Sequence, residues 1–191
     1  MALGSTVLVG LIWLFGGLDG FETRTWDWRV RLLAKPTEAT EDIALILLDQ
    51  NSLDWAQEAN GLSWPWPREV YSYIISFCKR AGVKGLIFDV LFTEPSKYGV
   101  YDDQALADAM SDIGNFVGTL FLGEETGSAG AWPSDLPKPQ VSILDLDRWP
   151  GPLLESVRYS RATFPIPELA RAARYLANIS GRPDPDGIFR R

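Results

Sequence analysis

The stretch Leu62-Ser63-Trp64-Pro65-Trp66-Pro67-Arg68 constrains this chain more than any other, because a proline follows each tryptophan and the backbone before a proline is driven out of the helical region. It must run extended or as polyproline, so helix can begin only at Pro67, where the missing N–H costs nothing, with Glu69 near the positive end of the helix dipole. Beyond it Val70, Tyr73, Ile74, Phe77, Cys78 and Ala81 recur at three- and four-residue intervals, which predicts one buried helix face, and Gly82 serves as a C-terminal cap. Apolar runs without alternation bracket this helix: Ile43–Leu48 (IALILL), closed by Asp49, and Gly85–Phe92 (GLIFDVLF). Such runs suit strands buried on both faces of a parallel sheet, and strand, helix, strand implies a right-handed crossover.

The same grammar repeats downstream. Asp102 or Asp103 caps a helix with Ala105, Leu106, Ala109, Met110 and Ile113 inward, Gly114 ends it, and Phe116–Leu122 is a third strand. From Gly123 to about Thr163 glycine and proline are dense, which predicts a long excursion with one short strand at Val141–Leu144. A proline-started helix at Pro167-Glu168 follows, with Leu169, Ala172, Ala173 and Leu176 inward. Pro183–Gly187 reads as a turn and Ile188-Phe189 as the opening of a strand. The expected fold is α/β: a small, mainly parallel sheet with a βαβαβ core and flanking helices, plus an N-terminal membrane-type helix.

That helix is drawn from Leu3–Leu18, an uncharged and mostly apolar run open to three readings: a membrane helix, a signal-peptide core or a buried helix. No polar face appears at helical spacing, which favours the membrane. Residues 1–20 are thus expected as a transmembrane or signal-anchor helix, 21–36 as a connecting helix ended by Pro36, and 37–191 as the domain. Arg24, Arg29, Arg31 and Lys35 follow the run and nothing basic precedes it, which taken alone puts the rest in the cytoplasm.

Composition narrows the function. In 191 residues, 46% hydrophobic and 12% aromatic, there is material for one cored domain. The formal charge of −7, without a concentrated basic face, argues against nucleic acid as a partner. The chain has no histidine, which removes imidazole metal sites and histidine general bases. Its one cysteine, Cys78, falls on the apolar helix face as a small buried hydrophobe, so no disulfide framework is expected.

The order Asp27-x-Arg29-x-Arg31, Asp49 with Ser52-Leu53, Trp64-Pro65-Trp66-Pro67-Arg68, Ala81–Phe92 (AGVKGLIFDVLF), Asp102-Asp103-x-x-Leu106-Ala107 and Asp186-Gly187-x-x-Arg190-Arg191 resembles the CHASE type-two family. The likeness implies an extracytoplasmic sensor domain of the kind found in bacterial adenylate cyclases, histidine kinases, serine/threonine kinases and diguanylate cyclases. It also implies a further strand and helix, membrane helices and a cytoplasmic output domain, so the chain is expected to be a sensor fragment. The spacer Asp54–Ser63 is longer than the family's usual link.

Ligand-binding candidates are Trp64, Trp66, Arg68, Asp49, Asp89 and Asp102. Trp64 and Trp66 could wall an apolar or cationic ligand, or one could cover the sheet edge as core. Asp49 and Asp89 fall at the carboxyl ends of expected neighbouring strands, where open parallel sheets bind ligands; with Asp102 and Asp103 they could line an oxygen site for Mg²⁺ or Ca²⁺. The alternative gives them structural duties, Asp49 and Asp102 as caps and Asp89 as the ion-pair partner of Arg68. Asp184-x-Asp186-Gly187 lacks the glutamate of a calcium loop and reads as a turn, and Gly16-x-x-x-Gly20 is interrupted by Asp19 as a helix-pairing signal.

Three readings follow: a non-enzymatic sensor, a homodimer that engages a small molecule or partner protein at the cell membrane; a metal-assisted hydrolase or phosphotransferase at Asp49 and Asp89; and a purely dimerising module. No cofactor and no catalytic residue is expected.

Overall fold

The computed structural model describes residues 2–14, 16–136, 138–139, 144–181, 183–184 and 186–189. The backbone clusters into two units, Met1–Trp55 and Ala56–Arg191.

In the first unit α1 (Ala2–Leu14) is followed by a turn at residues 16–18 and by α2 (Asp19–Leu33). At 1.5 Å per residue α1 is about 20 Å long, against roughly 30 Å of bilayer hydrocarbon. No described helix is long and apolar enough to cross a membrane, so the membrane-type helix expected over residues 1–20 is not supported. The segment expected as a connecting helix is helical as α2, which stops ahead of Pro36 with the Ala34 N–H donated to the Val30 carbonyl at 2.7 Å. A single turn, α3 (Glu38–Glu41), precedes residues 43–49, which form no regular element. Ile43, Leu45, Ile46, Leu47 and Leu48 are all exposed there. The strand expected at Ile43–Leu48 is therefore absent, because an apolar run declares a need for burial but a strand also needs a partner ladder, and none is formed. α4 (Gln50–Asn60) carries the chain into the second unit, and Gly61, at φ +66°, closes it.

The second unit is organised around α5 (Arg68–Arg80) and the strand it helps to cover. Pro67 occupies the N-cap and Gly82, at φ +73°, follows the last turn, as its sequence requires. The buried face is Arg68, Tyr71, Ile75 and Cys78, while Tyr73 and Phe77 are exposed. The helix is rotated from the expected stripe because its apolar residues outnumber those one face can hold, and packing chose the side that includes Arg68.

β1 (Leu86–Ile87), α6 (Val100–Ile113) and β2 (Phe116–Gly123) form a parallel βαβ unit with Leu86 opposite Phe116 and Ile87 opposite Val117. Only two of the eight residues expected as the second strand enter the ladder, since the chain beyond Ile87 turns Phe88 and Phe92 onto the core. The excursion after β2 carries a short 3₁₀ turn at Leu146–Arg148, α7 (Gly151–Ser156), and β3 (Arg161–Thr163), which returns antiparallel to the end of β2. Residues 141–143 of the expected short strand lie outside the described residues, and Leu144 sits in a turn. α8 (Pro167–Ala172) ends sooner than its sequence predicts, and β4 (Tyr175–Asn178) pairs parallel with β2 over Val117–Leu120. The result is a four-stranded, mainly parallel sheet. Its third parallel member is β4, in place of Ile43–Leu48. The Gly187 N–H donates to the Asp184 carbonyl at 2.8 Å, and Ile188-Phe189 belong to no strand.

Tyr71 and Ile75 of α5, Leu106, Ala107 and Met110 of α6, Phe116 of β2, and Ile166, Leu169 and Ala173 around α8 make one core. The three helices therefore lie on the face of the sheet that Leu86, Phe116 and Leu176 share.

Candidate functional site

Where α5 starts, its first turn meets the first turn of α6. The Asp102 carboxylate receives the Arg68 N–H on Oδ2 and the Glu69 N–H on Oδ1, both at 2.8 Å, so a residue of α6 caps the N-terminus of α5. The Ser96 hydroxyl donates to the same carboxylate. Asp103 forms the ion pair with the Arg68 guanidinium and accepts the Ser96 N–H at 3.1 Å. A second guanidinium nitrogen donates to the Glu94 carbonyl, and the guanidinium carbon stands 4.9 Å over the Phe92 ring. Arg68, Asp102 and Asp103 are 7%, 8% and 4% exposed, so water screens none of them well.

Two carboxylates against one guanidinium leave a buried excess of negative charge. It is tolerable because three backbone N–H groups point at it and two helix N-termini converge on it. Burial raises the Asp102 carboxyl, but the Ser96 hydroxyl, the Arg68 and Glu69 amides and the Arg68 charge outweigh it and leave the group below the usual aspartate range. Removing one partner from such a buried pair costs roughly 3–5 kcal/mol, since the other charge is stranded.

Aromatic rings run from this junction into the core. Trp64 meets Trp66 edge-on at 6.2 Å, Trp66 lies 6.3 Å from Tyr71, Tyr71 lies 5.6 Å from Phe92 and 6.1 Å from Phe88, and Phe88 lies 4.9 Å from Phe116 of β2. Trp64 is more than half exposed and Trp66 is half-buried and packed on the core, the arrangement of the second alternative. The Tyr98 hydroxyl donates to the Pro65 carbonyl at 3.2 Å and ties the 94–99 loop to the same stretch. Trp66 Nε1–H is shielded from solvent and has no acceptor among the described residues. Below, Phe88, Val90, Phe92, Met110, Thr119 and Leu169 line a small apolar cavity, and Phe92 is shared with the Arg68 junction.

Of the candidate residues, Trp64, Trp66, Arg68 and Asp102 come together. Asp49 does not join them: its carboxylate takes the Ser52 hydroxyl at 2.7 Å and the Ser52 N–H at 2.9 Å, which hold it below the usual range and cap α4. Asp89 is exposed, and the partner of Arg68 is Asp103. Asp102 caps α5 and leaves α6 with Gly99 at its N-cap, where a helix of its own was expected to receive it. Among the described residues no group of three or more acids or cysteines is placed to hold a metal ion. Sequence reasoning missed Ser96, Tyr98 and Phe92; only the turn-forming Glu94-Pro95-Ser96 marks that loop, and nothing in its spacing points to Arg68.

The α/β domain thus sets a buried ion-pair junction beside an exposed tryptophan. A family model described as the CHASE2 domain matches residues 5–191. The chain therefore belongs to the CHASE2 family of extracytoplasmic sensor domains. No curated protein and no solved structure matches it.

Proposed function

We propose that this chain is the sensing part of a bacterial membrane receptor, outside the cytoplasm, that it performs no reaction, and that as a homodimer it passes a conformational shift to a cytoplasmic cyclase or kinase output domain. Family membership supports the sensor role. The observation that carries the relay is the Arg68–Asp102–Asp103–Ser96 junction, which makes the start of α5, the 94–99 loop and the start of α6 one unit. A small molecule or partner protein engaging Trp64, with the unmet Trp66 donor behind it, acts on that junction only through unequal affinity for its closed and open forms. Attachment to the membrane is assigned to the segment of α1 and α2, whose Phe21, Trp26 and Trp28 are exposed beside Arg24 and Arg29. Asp49 is occupied as a cap and Asp89 stands in solvent, so no observation favours the metal-assisted reading.

The test is a fusion of the chain, through a membrane helix, to a reporter adenylate cyclase domain. Asp102→Asn, which weakens the junction while keeping its shape, is expected to change cyclic AMP output several-fold at equal membrane abundance. Output indistinguishable from the parent would refute the relay.

A further inference from the structure

α5 has a second ordered face. Opposite its buried edge, Glu69, Tyr73, Phe77 and Arg80 fall in one line at helical spacing. All four are exposed, Tyr73 at 65% and Phe77 at 61%, although two neighbouring aromatic rings on the solvent side contribute nothing to the core. The ends carry opposite charges. Glu69 is held in the line by the Tyr73 hydroxyl, which donates to its carboxylate at 3.1 Å. Arg80, roughly 16 Å farther along the helix, has no ion-pair partner among the described residues.

We infer that this line is a contact between two copies of the chain, laid antiparallel about a two-fold axis that passes between Tyr73 and Phe77. Reversal of the line maps acid onto base and ring onto ring: Glu69 meets Arg80 of the partner subunit, Tyr73 meets Phe77 of the partner subunit, and each contact occurs twice. A surface that is its own complement when reversed is what an isologous contact demands. Parallel alignment would set Glu69 on Glu69 and Arg80 on Arg80, and an unrelated partner would have no need of matched ends. Four aromatic side chains at roughly 150–250 Å² each give a patch at the small end of specific interfaces, so the dimer is weak, concentration-dependent and salt-sensitive.

The inference deepens the dimeric receptor proposed above and takes from it only the expectation that two copies meet. A chain that senses as a monomer passes the reporter test and fails this one. Sedimentation velocity of the 191-residue chain should show a dimer at low salt that dissociates at about 0.5 M salt, where exposed charges are screened within roughly 4 Å. Glu69→Arg and Arg80→Glu should each be monomeric alone, and an equimolar mixture of the two should dimerise, since one subunit then presents two bases and the other two acids. Phe77→Ser, at an exposed position that spares the fold, should be monomeric at every salt concentration. Circular dichroism confirms folding of each variant. A monomeric parent chain, single reversals that dimerise like the parent, or a mixture that stays monomeric would overturn the assignment.

Discussion

Asp102 carries two tasks with one carboxylate, ending the α5 backbone and holding Ser96, and both require the ionised form. Its carboxyl is lowered in the fold, so folding favours the proton-free state. For such a group the stability is fully present above the unfolded aspartate value of about 3.9 and is lost as pH falls through the folded one. Asp102→Asn should therefore lower the stability by roughly 1–3 kcal/mol at pH 7 and lose less than the parent on acidification, when urea midpoints of both are followed from neutrality to about pH 3. A difference between them that stays constant across that range would remove Asp102 from the acid response. The sequence made Arg68 conspicuous, since it ends the tryptophan-proline stretch, but assigned it to Asp89. Local spacing tells which residues can cap or pair; it does not tell which helix end, more than thirty positions away, will arrive beside them.

At the level of elements the helices were legible and the strands only partly so. Pro67, Gly82 and Gly114 mark ends of α5 and α6 where the structure has them, because caps and prolines act within a few residues of themselves. Strand identity depends on a distant partner, which is why the sequence reads Ile43–Leu48 as a strand and puts Leu176, a residue of β4, on the inward face of a helix. Gly118 shows what that missed pairing imposes. A Cβ there would stand 3.1 Å from Leu176 Cδ2 and 3.3 Å from Ala173 Cβ, and the second atom cannot rotate away. Gly118→Ala should destabilise the domain by roughly 1 kcal/mol once the gain from a stiffer unfolded chain is subtracted from the crowding. Gly130→Ala, with open space around its new methyl group, is the control and should leave the thermal midpoint within a degree or two.

The second unit as a whole is built in two layers, with α5, α6 and α8 on one side of the sheet. Register assigns every strand residue to a side: Leu86, Phe116 and Leu176 point to the helices, and Ile87, Val117 and Tyr175 form a row on the other surface. Ile87 is 68% exposed and Tyr175 45%, so that surface is left uncovered by the described residues of the second unit, although parallel sheets are ordinarily clothed on both sides. Adjacent residues of β1 thus have opposite energetic weight despite equal hydrophobicity. Leu86→Ala should cost about 2 kcal/mol, less than a fully buried leucine because its side chain is only half covered. Ile87→Ala should change stability by less than about 0.5 kcal/mol and should reduce binding of an apolar dye to the folded protein, because it trims the open row. Chemical denaturation of the pair measures the difference directly. If Ile87→Ala proved the more damaging, both sides of the sheet would be covered in the folded protein, and the layering would have to include a further element over Val117 and Tyr175.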